Sequence, residues 1–226
     1  MRASIHYFTT FVIIPIYGIQ VCPYIEGLPV MQVVIPMAIA MMLQWSVRKP
    51  LRNYLVDAYP LKLRVRRTFW LEGGLFLATA LGLMAYNGIV HDFPIVSGLK
   101  VLVGIGALGF FAAIDLGLNE ERRVAAAVEA GEGKIEPDSD PYPMTRKVAM
   151  FAGISIGVMI LIFMLLVVKD LDWIVKVGDT IPLKDARASI IKEFSFVLAV
   201  ILPHALNIIR SYAMNLKYTL TIKPRF

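Results

Sequence analysis

The feature that most constrains this chain is the alternation of long apolar runs with short stretches rich in basic residues. Six runs are apolar enough to cross a bilayer, whose hydrocarbon core takes a helix of about 20 residues. They cover residues 6–22, 28–46, 68–89, 98–118, 147–168 and 189–209. These runs take up most of the 226 residues, so we predict one all-α membrane domain. Its six transmembrane helices form three antiparallel hairpins, and the first, which contains Pro15, is the shortest.

The basic residues predict how these helices are oriented, because cytoplasmic loops of membrane proteins are enriched in Lys and Arg. An N-terminus in the cytoplasm places Arg2, the 47–67 loop, the 118–147 loop and the 210–226 tail on one side. Those segments hold most of the 23 Lys and Arg residues. We therefore predict that both termini face the cytoplasm and that the protein lies in a bacterial cytoplasmic membrane.

Six basic residues between spans two and three are candidates for contact with anionic phospholipid headgroups. They are Arg48, Lys49, Arg52, Arg64, Arg66 and Arg67. Apolar residues among them predict that this loop lies on the inner membrane surface as an amphipathic segment. No basic recognition helix or aromatic-rich basic strand occurs, so lipid explains the net charge of +6 better than nucleic acid does.

Charged residues near the ends of the predicted spans are the first candidates for a functional site, because charges are costly in lipid. Glu72, Asp115 and Arg210 fall at similar depth near the cytoplasmic side and predict an inner charge cluster. Lys100 and Glu193 fall at comparable depth near the outer side and predict an outer ion pair. Structural pairing is the preferred role, and a path for protons or ions is the alternative.

Span six carries a further polar candidate, His204, with Asn207 one turn along, as a possible polar path or ligand site. Haem b needs two histidines that face each other at one depth. The three histidines do not offer such a pair, so no cofactor is predicted. Haem stays an alternative, because His6 and His204 fall in the same half of the membrane. No Cys/His pattern with the spacing of a metal site occurs, so no metal is predicted.

Small residues recur at every fourth position in three of the predicted spans, which lets helix backbones approach closely in lipid. The positions are Gly74, Ala78 and Gly82, then Gly109, Ala113 and Gly117, and finally Ala149, Gly153 and Gly157. We interpret them as packing faces, within the chain or between copies in a homo-oligomer. The glycines at 104, 106 and 109 match a dinucleotide fingerprint by letter, but the strand that must precede one is absent.

The segments that follow spans four and six are predicted to continue as helices. Residues 119–130 continue span four, and Gly131 ends that helix. Residues 210–216 continue span six. Apolar residues and threonines then alternate over 218–222, and this period of two predicts a short strand.

Three short segments at the cytoplasmic ends of spans two, four and six resemble those of the six-span membrane modules that precede bacterial signalling enzymes, such as membrane-bound nucleotide cyclases and sensor histidine kinases. They are Lys49-Pro50-Leu51-Arg52-Asn53-Tyr54-Leu55, Ala112-Ala113-Ile114-Asp115-Leu116 with Glu120 to Arg123, and Ser211-Tyr212-Ala213-Met214-Asn215-Leu216. The resemblance covers nearly the whole chain. It implies a sensory module whose last helix carries a signal to a cytoplasmic output. Because the chain stops at Phe226, we expect that output on a separate partner.

Three classes of function follow, in order of preference. The first is a non-catalytic membrane subunit of the sensory or anchoring type, which contacts other membrane or cytoplasmic subunits through the 118–147 loop and the 210–226 tail. The second is a subunit of a transport or respiratory complex with a polar path through its helices. The third is a membrane enzyme that modifies lipid, for which the chain offers no paired catalytic groups at one depth.

Overall fold

A computed structural model describes residues 2–131, 144–177 and 182–221, and nearly all of them are helical. The helices are α1 (Arg2–Val21), α2 (Pro23–Glu26), α3 (Val30–Arg52), α4 (Leu61–His91), α5 (Ile95–Glu129), α6 (Met144–Val177) and α7 (Leu183–Thr221). The prediction of an all-α chain is confirmed. Within the predicted 118–147 loop, residues 132–143 lie outside the described part.

Within the described residues, five helical segments are long and apolar enough to cross a membrane. They are Val30–Asp57, Leu63–His91, Ile95–Ala127, Gly153–Leu171 and Leu183–Met214. Helix α1, with 20 residues and Pro15 inside it, is not among these five. A sixth span and the orientation of the bundle therefore remain predictions. We refer below to the basic end, where α3 meets α4, and to the opposite end, where α4 meets α5.

Helix α5 lies at the centre of the bundle. In its most apolar stretch 72% of residues are buried, against 11–22% in the other four candidate spans. Helix α4 packs along it as an antiparallel partner, and only three residues separate His91 from Ile95. Asp92, at the start of that turn, has a φ of 52°, so the chain reverses within a few residues.

Small residues of α5 allow these close contacts. A Cβ on Gly109 would lie 2.3 Å from Phe76 of α4, and one on Gly104 would lie 2.2 Å from the Tyr17 ring of α1. Two of the three glycines of the fingerprint-like segment therefore pack against aromatic side chains. Ala113 and Gly117 are buried on α5 as well.

The other two predicted stripes lie elsewhere. Three residues of α4 are exposed on its outer face: Gly74, Ala78 and Gly82. Helix α4 contacts Ala113 of α5 through Gly73 instead. Gly153 and Gly157 of α6 are exposed too, while the side chain of Ala149 lies outside the described part. Contacts of these two stripes with another copy of the chain remain a prediction.

The segment over 47–67 is almost entirely helical, and its predicted position on the inner membrane surface remains a prediction. Helix α3 continues through Arg52 into a π-helical turn, Asn53–Asp57, and α4 begins at Leu61. Two arginines of α4 stabilise this junction, because they donate hydrogen bonds to carbonyl groups that the helix end leaves unpaired. The Arg64 side chain bonds the carbonyls of Asp57 and Tyr59, each at 3.0 Å, and Arg67 bonds that of Leu55 at 3.1 Å.

Helices α5 and α7 are long enough to leave the membrane at the basic end. They have 35 and 39 residues, or roughly 50–60 Å at 1.5 Å per residue, against a hydrocarbon core of about 30 Å. The predicted continuation of α5 is confirmed to Glu129, and Gly131 follows with a φ of 81°. The predicted strand is wrong over 218–221, where α7 continues. A helix satisfies its backbone groups internally, whereas a lone strand leaves them unpaired.

Candidate functional site

Three acidic side chains are buried at the basic end of the bundle. Glu72 of α4 is 0% exposed, and Asp115 and Glu120 of α5 are 3% and 4% exposed. A buried carboxylate without a partner costs several kcal/mol, so each one needs a cation or hydrogen-bond donors. We call these acids, with the side chains of α1 and α3 that contact them, the charged layer.

Glu72 is held by two helices at once. Arg48 of α3 donates from Nε to its Oε1 at 2.8 Å, and the Tyr7 hydroxyl of α1 donates to its Oε2 at 3.1 Å. The Arg48 guanidinium also lies over the rings of Tyr7 and Trp45, 5.8 and 5.9 Å from their centroids. Both carboxylate oxygens are thus satisfied, and the arginine is enclosed by aromatic faces that favour a cation.

Asp115 takes its basic partners from the start of α1. His6 Nε2 lies 2.9 Å from Oδ2, and Arg2 Nη1 lies 3.7 Å from Oδ1. The sequence predicts a cluster of Glu72, Asp115 and Arg210; the structure places the two acids in one layer but leaves the Arg210 side chain exposed. At 100° per residue, position 210 is half a turn around α7 from Ile201, which faces the core.

Glu120 joins the end of α3 to the part of α5 that leaves the bundle. Arg52 Nη2 lies 2.7 Å from its Oε2, and Arg123 Nη1 lies 3.7 Å from the same oxygen. Nearby, Arg122 Nη1 lies 3.9 Å from the Met214 sulfur and so joins the extension of α5 to that of α7. The charged layer therefore reaches α5 near the point where that helix continues beyond it, and Arg122 connects the same part of α5 to α7.

A second charged group lies at the opposite end, and we call Lys169, Asp170 and Glu193 the outer cluster. Lys169 Nζ donates to Glu193 Oε1 and to the Gln20 carbonyl at 2.9 Å, and it lies 3.7 Å from Asp170 Oδ1. The predicted partner, Lys100, is buried on α5, but the cation that pairs with Glu193 is Lys169. Span five was predicted to end at residue 168, one residue short of this lysine, which α6 instead includes.

Among the described residues, neither His204 nor Asn207, the polar candidates of α7, forms a hydrogen bond with the charged layer. His204 Nδ1 donates to the Val200 carbonyl of its own helix at 2.8 Å, and its ring lies 5.9 Å from that of Phe111. Asn207 is exposed. Among the described residues, no group of three or more His, Cys, Asp or Glu side chains is suited to a metal ion.

Four of the six basic residues assigned to lipid headgroups bond other parts of the protein. Arg48 and Arg52 belong to the charged layer, and Arg64 and Arg67 bond the carbonyls described above. Sequence reasoning did not find Arg48 as the partner of Glu72. The available signal was depth, because Arg48 lies two residues after the end of predicted span two and Glu72 lies four residues after the start of predicted span three.

The apolar helices and the buried charges define an integral membrane protein, and sequence comparison gives its family. The MASE10 family model matches residues 6–196, so the chain belongs to this family of membrane-associated sensory domains. It is also similar to a cyclic di-GMP phosphodiesterase of Vibrio cholerae serotype O1, with 22% identity over 190 residues. That match covers 84% of this chain but only 38% of the relative. No solved structure matches the chain. These similarities identify a membrane sensor module of bacterial signalling, in agreement with the resemblance seen in the sequence.

Proposed function

We propose that this chain is the input module of a cyclic di-GMP signalling system in the bacterial cytoplasmic membrane. The module carries out no chemistry itself and acts through protein contacts. Its basic end faces the cytoplasm, α1 forms a sixth span, and α5 and α7 pass the signal to a cytoplasmic output. Family membership supports the sensory role, and the name of the Vibrio relative supports the nature of the output.

The observation that carries this proposal is the position of the charged layer. Its ion pairs connect α1 and α3 to α4 and α5 through the buried acids Glu72, Asp115 and Glu120. Directly beyond these contacts, α5 and α7 continue as helices toward the cytoplasm. A displacement of α1 or α3 therefore acts on α5 at the start of its extension.

Buried ion pairs suit such coupling, because their geometry has few acceptable alternatives. A carboxylate that loses its partner in a buried site is strongly destabilised, so the helices shift between arrangements that each keep it paired. Coupling between sites in proteins typically amounts to about 1–3 kcal/mol, or roughly 5–150-fold in an equilibrium.

Conduction through the bundle is the alternative, and the middle of the protein does not favour it. Between the charged layer and the outer cluster, the buried side chains Gln44 and Thr79 hydrogen-bond each other, and most other buried side chains of the described interior are apolar. Examples are Phe76, Ile105, Leu108, Ile162 and Leu166, all of them buried. A proton or ion path needs polar groups or water at that depth, so the sensory role is the better supported of the two.

We also propose that the basic end contacts anionic phospholipids through the two headgroup candidates with exposed side chains. Lys49 and Arg66 are both exposed. Each basic residue near an anionic surface contributes about 1 kcal/mol of attraction. Arg66 lies in a cleft that Trp70 also lines, and tryptophan is enriched where helices cross the membrane interface.

The test uses Arg52→Gln, with Arg187→Gln, at an exposed position of α7, as its control. Arg52 bonds Glu120, which keeps Arg123 as a partner, so we expect the variant to insert and accumulate normally. Cellular cyclic di-GMP is then measured in the native organism as the stimulus is varied. We expect Arg52→Gln to change the response about fivefold or more, and Arg187→Gln to leave it unchanged. An unchanged response in Arg52→Gln, or proton flux through vesicles that contain the protein, contradicts the proposal.

A further inference from the structure

The outer cluster carries more negative than positive charge in a buried site. Its two carboxyl groups, Asp170 and Glu193, are 6% and 5% exposed, and the ammonium group of Lys169 contacts both of them. With all three groups ionised, the cluster has a net charge of −1. An uncompensated charge at such a site is costly, so one more positive charge is needed.

Two oxygen atoms of the cluster also lack hydrogen-bond donors. Asp170 Oδ2 and Glu193 Oε2 are buried, and neither has a hydrogen-bond partner in the described part of the chain. Glu72 in the charged layer differs, because Arg48 and Tyr7 bond its two oxygens. The outer cluster thus lacks both a charge and a donor, and one bound proton supplies the two together.

We propose that the outer cluster is a proton-binding site in which Asp170 and Glu193 hold one proton between them. The protonated carboxyl group becomes a donor, and the other carboxylate remains as the counter-ion of Lys169. Two carboxyl groups at one site cannot both ionise readily, which is the reason that paired acids elsewhere share a proton. The site takes H⁺ itself, and no chemical step is involved.

The groups around the site come from three helices. From α1, the Gln20 carbonyl accepts from Lys169. From α5, Lys100 lies one turn from Val103, which packs against α6 and α7, and Lys100 makes none of the ion pairs found among the described residues. On α7, Lys192 precedes Glu193 but is exposed to its surroundings. Lys169 is therefore the buried cation that directly contacts the pair.

Further groups lie at the same end of the bundle, in α1, directly after α1 and in α5. Cys22 and Ser97 bond each other through Sγ and Oγ at 2.8 Å, so these two side chains supply each other's partner. The buried Tyr17 hydroxyl has no hydrogen-bond partner among the described residues. Neither feature supplies a positive charge to the pair.

The role of this proton in signalling rests on the proposed function. The stimulus is then a change in proton concentration at the opposite end of the bundle, where the outer cluster lies. Lys169 connects α6 to the Gln20 carbonyl of α1 and to Glu193 of α7. When the pair loses its proton, two full negative charges compete for this ammonium group. Its position between α1 and α7 then changes, and α7 continues to the basic end.

The direct test is infrared difference spectroscopy of the whole chain in phospholipid vesicles, recorded while pH is varied. We expect a band from one buried protonated carboxyl group near neutral pH, and its loss in alkaline buffer. Asp170→Asn and Glu193→Gln should each abolish that band, because the acid that remains pairs with Lys169 and ionises. The exposed acids Glu26 and Asp185 provide the controls, and Glu26→Gln and Asp185→Asn should leave it unchanged.

Two results overturn the proposal. One is a carboxyl spectrum that neither Asp170→Asn nor Glu193→Gln alters. The other is a spectrum in which both carboxyl groups are ionised at every pH at which the protein stays folded, together with a thermal stability that depends on added NaCl and not on pH. If Glu193→Gln removes that dependence on NaCl, the site binds a metal cation instead of a proton. These spectra do not depend on signalling. If the infrared band behaves as expected but the cellular cyclic di-GMP level does not respond, the proposed function is rejected and the proton site is retained.

Discussion

The two ends of the bundle satisfy buried acids in different ways. In the charged layer each acid has two partners of its own, so the charges are distributed over several helices. In the outer cluster, Asp170 and Glu193 share Lys169. One end is therefore redundant, whereas the other depends on a single side chain.

The distribution of basic residues explains this difference. Cytoplasmic ends of membrane proteins are rich in Lys and Arg, so acids near the basic end have many possible cations within reach. At the opposite end basic residues are few, and a buried acid there competes for the nearest one. The basic residues from which we predict the orientation thus also explain why buried charge is fully compensated at one end, while at the other end we propose that a proton compensates it.

The largest effect is expected where the comparison predicts no redundancy. Lys169→Met removes the shared cation and leaves two buried carboxyl groups without it, which should cost about 4 kcal/mol of unfolding free energy. Reversible unfolding in mixed detergent micelles measures the loss. Lys192→Met, at an exposed position of α7, is the control and should change stability little. A loss in Lys169→Met no larger than that of the control removes the distinction between the two ends.

An intermediate effect is expected at Glu72, where one of two partners is a cation. Arg48→Met leaves the Tyr7 hydroxyl bonded to a fully buried carboxylate and should cost about 3 kcal/mol. The double variant Arg48→Met/Glu72→Met removes both charges and should recover most of that loss. The same micelle unfolding assay compares the single and double variants. If the double variant is less stable than Arg48→Met, the cost does not come from an unpaired buried charge.

The smallest effect is expected at Arg2. Its side chain is 39% exposed, and Asp115 keeps His6 as a partner when Arg2 is replaced. Arg2→Gln should therefore cost less than about 1 kcal/mol, as exposed ion pairs usually do. A loss equal to that of Arg48→Met shows that Asp115 depends on this arginine, and the redundancy inferred for the charged layer is then wrong there.

Much of the fold was predictable, and the candidate site only partly so. The apolar runs predicted the long helices, and Gly131 predicted the end of α5. Depth along the spans brought Glu72 and Asp115 to one level. Their partners were not found, because Arg48 was assigned to lipid and Arg210 lies on the wrong face of α7. The helical character of the stretch over 47–67 was not predicted, since α3 continues past Pro50 to Arg52.

What the sequence by itself determined was the helical character of the chain, the positions of most long helices and the need of Glu72, Asp115 and Glu193 for partners. These depend on local properties, since a helix satisfies its own backbone hydrogen bonds and its apolar length matches the bilayer. The tertiary structure decided which cation each acid contacts. That choice depends on the rotation and depth of separate helices, and side-chain packing sets both. Gly109, which leaves room for Phe76, and Gly104, which leaves room for Tyr17, are examples of such packing.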